Sequence, residues 1–352
     1  MRVIIYGVSQ SILTQAVAEG IASLGHQVDH RSHSGYRENN REPCDAIVLF
    51  GLHGGGGLAL REYKEIKIPT LIIDYGYIRR GTQMNNNYID KSKYYSISLN
   101  GLNGNSDSFP GPMGSDRWNS LGVPLVPWRS DGKYILVCGQ KTNDVSIGNL
   151  NPIIWAKNTI VQIQEITNRP ILFRPHPEDP AQKRPIGVPH LEGGEFVDNL
   201  KDIYAVVAYN SNALVEATVA GVPTFALGKG SMVAGLTNTN LAFLDRPKTF
   251  DREQWAYNLA WRQYTIDEFR SGLFWQYFLG EIDEDMPAVE RKTQSVDSLA
   301  ENPLAPIECP SVEPQLDFST SEEDVVNPPE EISEKPRRIS HRMRRKEKEN
   351  NS

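Results

Sequence analysis

The sequence predicts an α/β fold made of two Rossmann-like domains and a charged C-terminal tail. Short apolar runs rich in β-branched residues alternate with helix-length segments throughout residues 1–280 of the 352-residue chain, and this alternation is typical of parallel sheets covered by helices. A stretch with several Pro and Gly residues, 124–132, separates two sets of such elements. The hydrophobic content of 39% is sufficient for a core in each set.

The first set predicts an N-terminal domain over residues 1–127. Three short β-branched runs are predicted to be buried strands, namely Val3–Tyr6, Ala46–Phe50 and Thr70–Ile73. Between the first two, Leu13–Leu24 has the apolar spacing of a helix, and Gly25 is suited to end it.

A second domain over residues 128–250 is predicted from the elements that follow the linker. Its strands are Tyr134–Cys138, Ile171–Phe173, Ala205–Ala208 and Thr224–Leu227, and its helices are Ile153–Glu165 and Asn212–Ala220. Residues 251–285 are rich in aromatic side chains. We therefore expect this segment to be helical and to pack back onto the first domain.

The net negative charge belongs to the C-terminal tail. Residues 281–352 carry 10 Lys/Arg and 18 Asp/Glu, whereas residues 1–280 carry 27 and 26. The tail, 286–352, has too few apolar side chains to offset the entropy of ordering, so it is predicted to be disordered. In one interpretation, the basic end of the tail, 335–352, binds nucleic acid or a membrane surface. In the other, the tail is a solubilising segment whose acidic and basic halves attract each other.

Simple counts exclude other classes of protein. No apolar run approaches the ~20 residues of a membrane-spanning helix. The three cysteines, Cys44, Cys138 and Cys309, are too far apart in sequence for a disulfide framework or a zinc-ligand pair. The N-terminal residues enter a predicted strand at once, without the apolar stretch of a signal peptide. We therefore expect a cytoplasmic protein.

Ligands of parallel α/β sheets bind at the carboxyl ends of the strands, so the loops after predicted strands are the candidate sites. The first of these loops, 51–57, contains four consecutive glycines. Gly54 and Gly55 allow a ligand to approach the backbone closely, and His53 is a candidate base or hydrogen-bond donor. The alternative is a flexible loop without a ligand.

Two further loops carry carboxylates. Asp74 stands at the end of a predicted strand, beside a glycine turn and two arginines, Arg79 and Arg80. It is a candidate acid/base, or else it simply pairs with an arginine. Asp144 lies with Gln140 in the loop after the first strand of the second domain, and we expect it to face the cleft between the domains.

The fourth candidate combines two segments. In the sequence Arg174-Pro175-His176-Pro177 the two prolines fix the loop, so that His176 projects rigidly. Ser211 stands at the expected start of the helix 212–220, where free amides and the helix dipole attract an anion. A helix cap alone would also explain this serine.

Taken in chain order, these segments resemble GT-B glycosyltransferases, particularly bacterial capsule polysaccharide synthesis proteins that transfer Kdo from its CMP-activated form. The RPHP loop followed by Ser211, Glu216 and Gly221-Val222-Pro223 is similar to their nucleotide-binding half. The segment 74–79 resembles their Glu/Asp-x-Gly-Phe-x-Arg motif, and 140–147 resembles their Gln-x-x-x-Asp-x-Ser-Ile motif. The aromatic stretch 261–277 also resembles the C-terminal part of glycosyltransferase-like proteins of tailed phages.

The resemblance implies a role for each matching residue. His176 and Ser211 would hold the phosphate of the donor, Glu216 would bond its nucleoside, and Gln140 would contribute to the same site. Asp144 would lie at the anomeric carbon. Asp74 would act as acid/base on the acceptor side, where the family usually has a glutamate, with His53, Gly54, Gly55 and Arg79 nearby.

The chemistry of sugar transfer fits these roles. Positive charge develops at the anomeric carbon and negative charge on the leaving phosphate, and Asp144 and His176 would stabilise the first and the second. The one Asp-x-Asp pattern, Asp283-Glu284-Asp285, lies in the acidic tail. We therefore expect no metal or other cofactor, with Arg174, Lys229 and the helix dipole in its place.

The sequence thus predicts a glycosyltransferase that moves a sugar from a CMP- or UDP-linked donor to a hydroxyl group. The acceptor is a surface polysaccharide or glycolipid, or a hydroxymethylated DNA base, and both retention and inversion stay open. One alternative is a sugar-nucleotide epimerase or glycerophosphotransferase. Another is a non-catalytic protein that binds nucleotide-sugars or nucleic acid. The expected location is the cytoplasm, that of the host if a phage encodes the chain.

Overall fold

The computed structural model describes residues 1–81, 84, 90–107, 111–179, 182, 186–191 and 193–275. All of them belong to Met1–Lys292, the first of the two units into which the chain divides. The predicted tail, 286–352, and the end of the predicted aromatic segment lie outside the described residues.

The first sheet has six strands, and its centre is parallel. In chain order the strands are β1 (Arg2–Tyr6), β2 (Gln27–Arg31), β3 (Ala46–Phe50), β4 (Thr70–Tyr75), β5 (Tyr95–Leu99) and β10 (Gln263–Tyr264). Their order across the sheet is β10-β5-β4-β3-β1-β2, with β5 antiparallel to both β4 and β10. The strands β1, β3 and β4 are buried almost throughout, as expected for parallel strands that are covered on both faces.

Helices cover the two faces of this sheet. The helix α1 (Ile12–Ser23) packs on the face that presents Val3, Val48 and Ile73. The helix α2 (Gly56–Glu65) covers the opposite face through Ala59 and Tyr63. A short helix, α3 (Asp116–Leu121), precedes the predicted linker.

The second sheet is parallel throughout. Its strands are β6 (Tyr134–Cys138), β7 (Ile171–Arg174), β8 (Ile203–Ala208) and β9 (Thr224–Ala226), in the order β7-β6-β8-β9. The helices that follow its strands are α4 (Pro152–Ile166), which Asn151 caps through the amides of Ile153 and Ile154, and α5 (Ala213–Val219). Two sheets of mostly parallel strands with crossover helices confirm the predicted α/β fold class.

The segment after residue 251 contacts both sheets. The helix α6 (Glu253–Ala260) joins the core beneath the second sheet through Ala256 and Leu259. The chain then adds β10 to the first sheet, and α7 (Ile266–Arg270) packs on α1. Phe274 and Trp275 are fully buried in the core of the first sheet. The division into domains at 127/128 and 250/251 stays a prediction.

Arg117, which lies in α3, binds the segment after residue 251. Its guanidinium donates to the Glu268 carboxylate at 2.6 Å and to the carbonyls of Ala260 and Gln263 at 3.2 and 2.8 Å. The same group lies over the rings of Trp261 and Tyr264, 5.2 and 4.6 Å from their centroids. The segment is therefore anchored by hydrogen bonds as well as by apolar packing.

Candidate active site

Charged side chains converge where the carboxyl ends of the two sheets face each other. Asp74 and Arg80 come from the end of β4 and the loop after it, in the first sheet. The second sheet contributes Lys141 and Asp144 after β6, His176 and Glu178 after β7, and Glu216 on α5. Each of these groups interacts electrostatically with at least one other, either shifting its pKa or having its own pKa shifted by it. We call the carboxyl groups of Asp74, Asp144, Glu178 and Glu216 the acidic cluster.

Asp74 is the member of the acidic cluster that comes from the first sheet. Burial raises the pKa of its carboxyl group, and the negative charge of Asp144 raises it further. The amide of Tyr75, which donates to Asp74 Oδ1 at 2.7 Å, and the charge of Arg80 act in the opposite direction. A carboxyl group whose pKa lies above its ordinary value is suited to exchange a proton near neutral pH.

Asp144 is held rigidly at the end of a fixed loop. Its Oδ1 accepts the amide of Ser146 at 2.8 Å and so caps a short 3₁₀ turn, Val145–Ile147. The preceding residues are anchored by Asp179, whose Oδ2 accepts the Thr142 amide and hydroxyl at 2.8 and 2.5 Å. Gln182 donates to the same oxygen at 2.8 Å. The carboxylate of Asp144 thus has a defined orientation before any ligand arrives.

Asn210 ties together three loops of the second sheet. Its amide nitrogen donates to the carbonyls of Ser146 and Lys229 at 2.9 and 3.0 Å, and its Oδ1 accepts from Gln140 at 2.7 Å. Gln140 is 5% exposed, and its Oε1 has no partner among the described residues. The sequence singled out Gln140 but neither Asn210 nor the Asp179–Gln182 pair that supports the same loops.

His176 presents one ring nitrogen as a donor. Its Nδ1 accepts the amide of Glu178 at 3.3 Å, which leaves Nε2 to carry the proton of the neutral ring. Burial lowers the pKa of this imidazole, and the nearby carboxylates of Glu178 and Asp144 only partly oppose that effect. His176 is therefore a neutral hydrogen-bond donor at neutral pH.

The start of α5 differs by one residue from the prediction. The helix begins at Ala213 with Asn212 as its N-cap residue, and Ser211 lies outside it, accepting the Ala213 amide at 3.3 Å. Asn212 instead bridges the two sheets, because its amide donates to the Tyr77 carbonyl and to Glu216 Oε1, both at 3.1 Å. Burial raises the pKa of Glu216, and the charge of Arg80 opposes this.

The two predicted donor-binding cations, Arg174 and Lys229, lie in different surroundings. Arg174 donates to the carbonyls of Gly193 and Gly194 at 3.3 and 3.2 Å and lies over the Phe196 ring. Its guanidinium thus supports a neighbouring loop. Lys229 has an exposed side chain, and its carbonyl accepts from Asn210. A role for either residue in donor binding stays a prediction.

The four-glycine run is explained by packing. A Cβ on Gly55 would lie 2.7 Å from the Cβ of Tyr36, and one on Gly56 would overlap the ring of His33. Gly56 also begins α2, so the second half of the run is helical and not a flexible loop. Gly54 and His53 are exposed, and the charge of His53 lowers the pKa of Asp74. An acceptor-side role for these residues stays a prediction.

The two arginines of the 74–80 segment face different surroundings. Arg79 has a φ of 49°, and its Nη2 lies 3.6 Å from the Cβ position of Gly122, near the end of α3. Arg80 lies over the ring of Tyr75, 5.5 Å from the centroid, and its charge acts on Asp74, Glu178 and Glu216. The motif resemblance selected Arg79, whereas the arginine that acts on the acidic cluster is Arg80.

In the part of the chain that the structure describes, no three His, Cys, Asp or Glu side chains are grouped as a metal site would require. None of the helices among those residues is long and apolar enough to cross a membrane. Cys44 and Cys138 are both free thiols.

Two Rossmann-like sheets whose carboxyl ends share one cluster of charged residues define a fold of GT-B type. A solved structure of this fold, KpsC of Thermosulfurimonas dismutans, a beta Kdo 2,4 transferase, is similar over 75% of this chain and 92% of its own, with a TM-score of 0.50 and 15% identity. A beta Kdo 2,7 transferase KpsC of the same organism aligns with a TM-score of 0.49 over 78% and 99%, also with 15% identity. A UDP-GlcNAc 2-epimerase of Methanocaldococcus jannaschii aligns with a TM-score of 0.32 over 74% and 98%, with 13% identity. A scan against protein-family models and a search of curated proteins gave no match.

Proposed function

We propose that this chain is a glycosyltransferase that moves a sugar from a nucleotide-activated donor to a hydroxyl acceptor. The observation that carries the proposal is that Asp144 acts electrostatically both on Asp74, a carboxyl group from the other sheet, and on the imidazole of His176. Groups supplied by two facing sheets can hold two substrates against each other, which a transfer reaction requires.

In this proposal the three groups act on different parts of the reaction. In the inverting form of the reaction, the acceptor oxygen forms a bond to the anomeric carbon while the bond from that carbon to the phosphate oxygen breaks. The acceptor proton passes to Asp74, and the phosphate leaves with the electron pair. Asp144 stabilises the positive charge at the anomeric carbon, and the Nε2–H of His176 donates to the leaving phosphate. In the retaining form, Asp144 bonds to the anomeric carbon as the phosphate leaves, and the acceptor oxygen then displaces Asp144 while its proton passes to Asp74.

The donor and acceptor belong to the same proposal. Ser211 would assist His176 at the phosphate and Glu216 would bond the nucleoside, with no metal taking part. The donor would be CMP- or UDP-linked, and the motif resemblance to proteins that transfer Kdo from its CMP-activated form supports the CMP-linked one. The acceptor would be a saccharide or glycolipid of the cell surface, or a hydroxymethylated DNA base if the chain comes from a phage.

The function is tested by incubating the protein with CMP- and UDP-linked sugars without an acceptor and following the products by ³¹P NMR. We expect slow release of the free nucleotide, because water replaces the missing acceptor. An epimerised sugar nucleotide without release would favour the epimerase instead. Tight binding with neither product would favour a non-catalytic binding protein, and absence of binding to every donor would contradict the proposal.

Replacement of His176 by Ala should weaken the binding of the nucleotide and leave the fold intact. The variant loses one hydrogen-bond donor to phosphate from a half-buried ring, so we expect an affinity about ten- to a hundredfold lower. Calorimetry with CMP and UDP measures this loss. His30→Ala, which removes an exposed imidazole from the edge strand β2, is the matched control. Equal affinities in the two variants would place the phosphate elsewhere.

A further inference from the structure

The backbone around Arg80 is fixed by the strands on either side. Gly76 and Gly81 both donate to the carbonyl of Tyr94, at 3.1 and 3.0 Å, and the Tyr94 amide donates to the Arg79 carbonyl at 3.1 Å. The amides of Tyr77 and Ile78 donate to Gln263 Oε1 at 2.8 and 3.0 Å. Arg80 therefore leaves a loop whose position does not depend on a ligand.

The charge of Arg80 acts on three members of the acidic cluster, Asp74, Glu178 and Glu216, without forming an ion pair with any of them. The guanidinium stacks on the ring of Tyr75 and is exposed to solvent, and no carboxylate of the described residues lies within ion-pairing distance of it. The Tyr77 carbonyl in the same loop accepts from Asn212, which also holds Glu216. The loop of Arg80 and the carboxylate of Glu216 are therefore neighbours across the two sheets.

Three other basic groups near the acidic cluster are engaged or neutral. Lys141 pairs with Glu178 at 2.6 Å. The guanidinium of Arg174 donates to Gly193 and Gly194, and burial keeps His176 uncharged at neutral pH. An anionic substrate that enters among several carboxylates needs a free positive charge to offset their repulsion.

We propose that Arg80 binds an anionic oxygen group of the substrate, the donor phosphate or a carboxylate on the donor sugar, between Asp74 and Glu216. The inference rests on the proposed function and adds a residue that determines which donors bind. A guanidinium stacked on a tyrosine ring keeps its N–H edge free, and that edge matches two oxygens of a phosphate or a carboxylate.

The test compares three variants, Arg80→Gln, Arg79→Gln and Arg246→Gln, by calorimetry. The last replaces an exposed arginine outside the site and serves as the control. The ligands are CMP, UDP and the nucleosides cytidine and uridine, together with UDP-glucose, UDP-glucuronate and CMP-N-acetylneuraminate. We expect Arg80→Gln to lower affinity for its anionic partner about ten- to a hundredfold, with nucleoside affinity unchanged.

The arms of the experiment distinguish the two sources of the anion. A loss that is already present with CMP or UDP assigns Arg80 to the phosphate. A loss confined to UDP-glucuronate or CMP-N-acetylneuraminate assigns it to the sugar carboxylate. Equal affinities for Arg80→Gln and Arg246→Gln, or a loss found in Arg79→Gln instead, would overturn the inference. Failure of the wild-type protein to bind any of these ligands would contradict the proposed function itself.

Discussion

Asp144→Asn should lower acceptor-free donor cleavage at least about a thousandfold, because the variant loses the negative charge at the anomeric carbon. The substitution preserves the local structure, since an amide oxygen at the same position still accepts the Ser146 amide and caps the turn 145–147. The rate of nucleotide release, measured by ³¹P NMR with the donor that the wild-type protein cleaves, gives the effect directly.

Two controls make this result specific. Asp198→Asn replaces an exposed carboxylate in another 3₁₀ turn of the second sheet and should leave the rate unchanged. Affinity for the free nucleotide should be retained in Asp144→Asn, because in the proposed mechanism the phosphate is held by His176. A rate within about threefold of wild type in Asp144→Asn would remove this residue from the chemistry.

Gly20→Ala should destabilise the protein by about 3 kcal/mol, at the upper end of the usual cost of overpacking. A Cβ at this position on α1 would overlap the carbonyl oxygen of Phe269 and lie 2.9 Å from the amide nitrogen of Gly272. The obstacle is backbone, so α7 must move away, and the buried rings of Phe269, Phe274 and Trp275 lose their packing with it.

Gly57→Ala is the matched control for this prediction. Gly57 also lies in a helix, but the nearest atom to its Cβ position is the Leu52 carbonyl oxygen at 3.5 Å, an ordinary contact. Alanine favours a helix over glycine by up to about 1 kcal/mol, so this variant should be as stable as wild type or more so. Denaturant unfolding measures the free energy of unfolding of both variants. If both were more stable than wild type, the packing of α7 on α1 would be refuted.

The buried parallel strands were predictable from the sequence because their apolar runs are continuous. Such runs can be recognised without knowing which strands pair with them. The structure confirms three of them, Val3–Tyr6, Ala46–Phe50 and Tyr134–Cys138, as β1, β3 and β6. Sequence reasoning missed three strands. The first, β5, is buried but antiparallel, and two serines interrupt its apolar run. β2 is a half-exposed edge strand with charged residues, and β10 has two residues that gain their strand geometry only from pairing with β5.

The site residues that directly follow a predicted strand could be identified from the sequence. Asp74, Asp144 and His176 each follow a recognisable strand, and parallel sheets bring such loops together. The supporting contacts were not predictable, because they join loops far apart in sequence. Asp179 fixes Thr142, and Arg80 rather than Arg79 acts electrostatically on Asp74 and Glu216. A single sequence carries no signal for either of these relationships.

Titration of the Asp74 carboxyl group by ¹³C NMR tests most directly whether the two sheets form one site. The signal is identified by its loss in Asp74→Asn. In the wild-type protein the pKa should lie above the ordinary aspartate value of about 3.9, because of burial and the negative charge of Asp144. In Asp144→Asn that charge is gone, so the pKa should fall, whereas Asp198→Asn should leave it in place. An Asp74 pKa that is the same in wild type and Asp144→Asn would show that the two carboxyl groups do not share a site, and the proposed mechanism would be wrong.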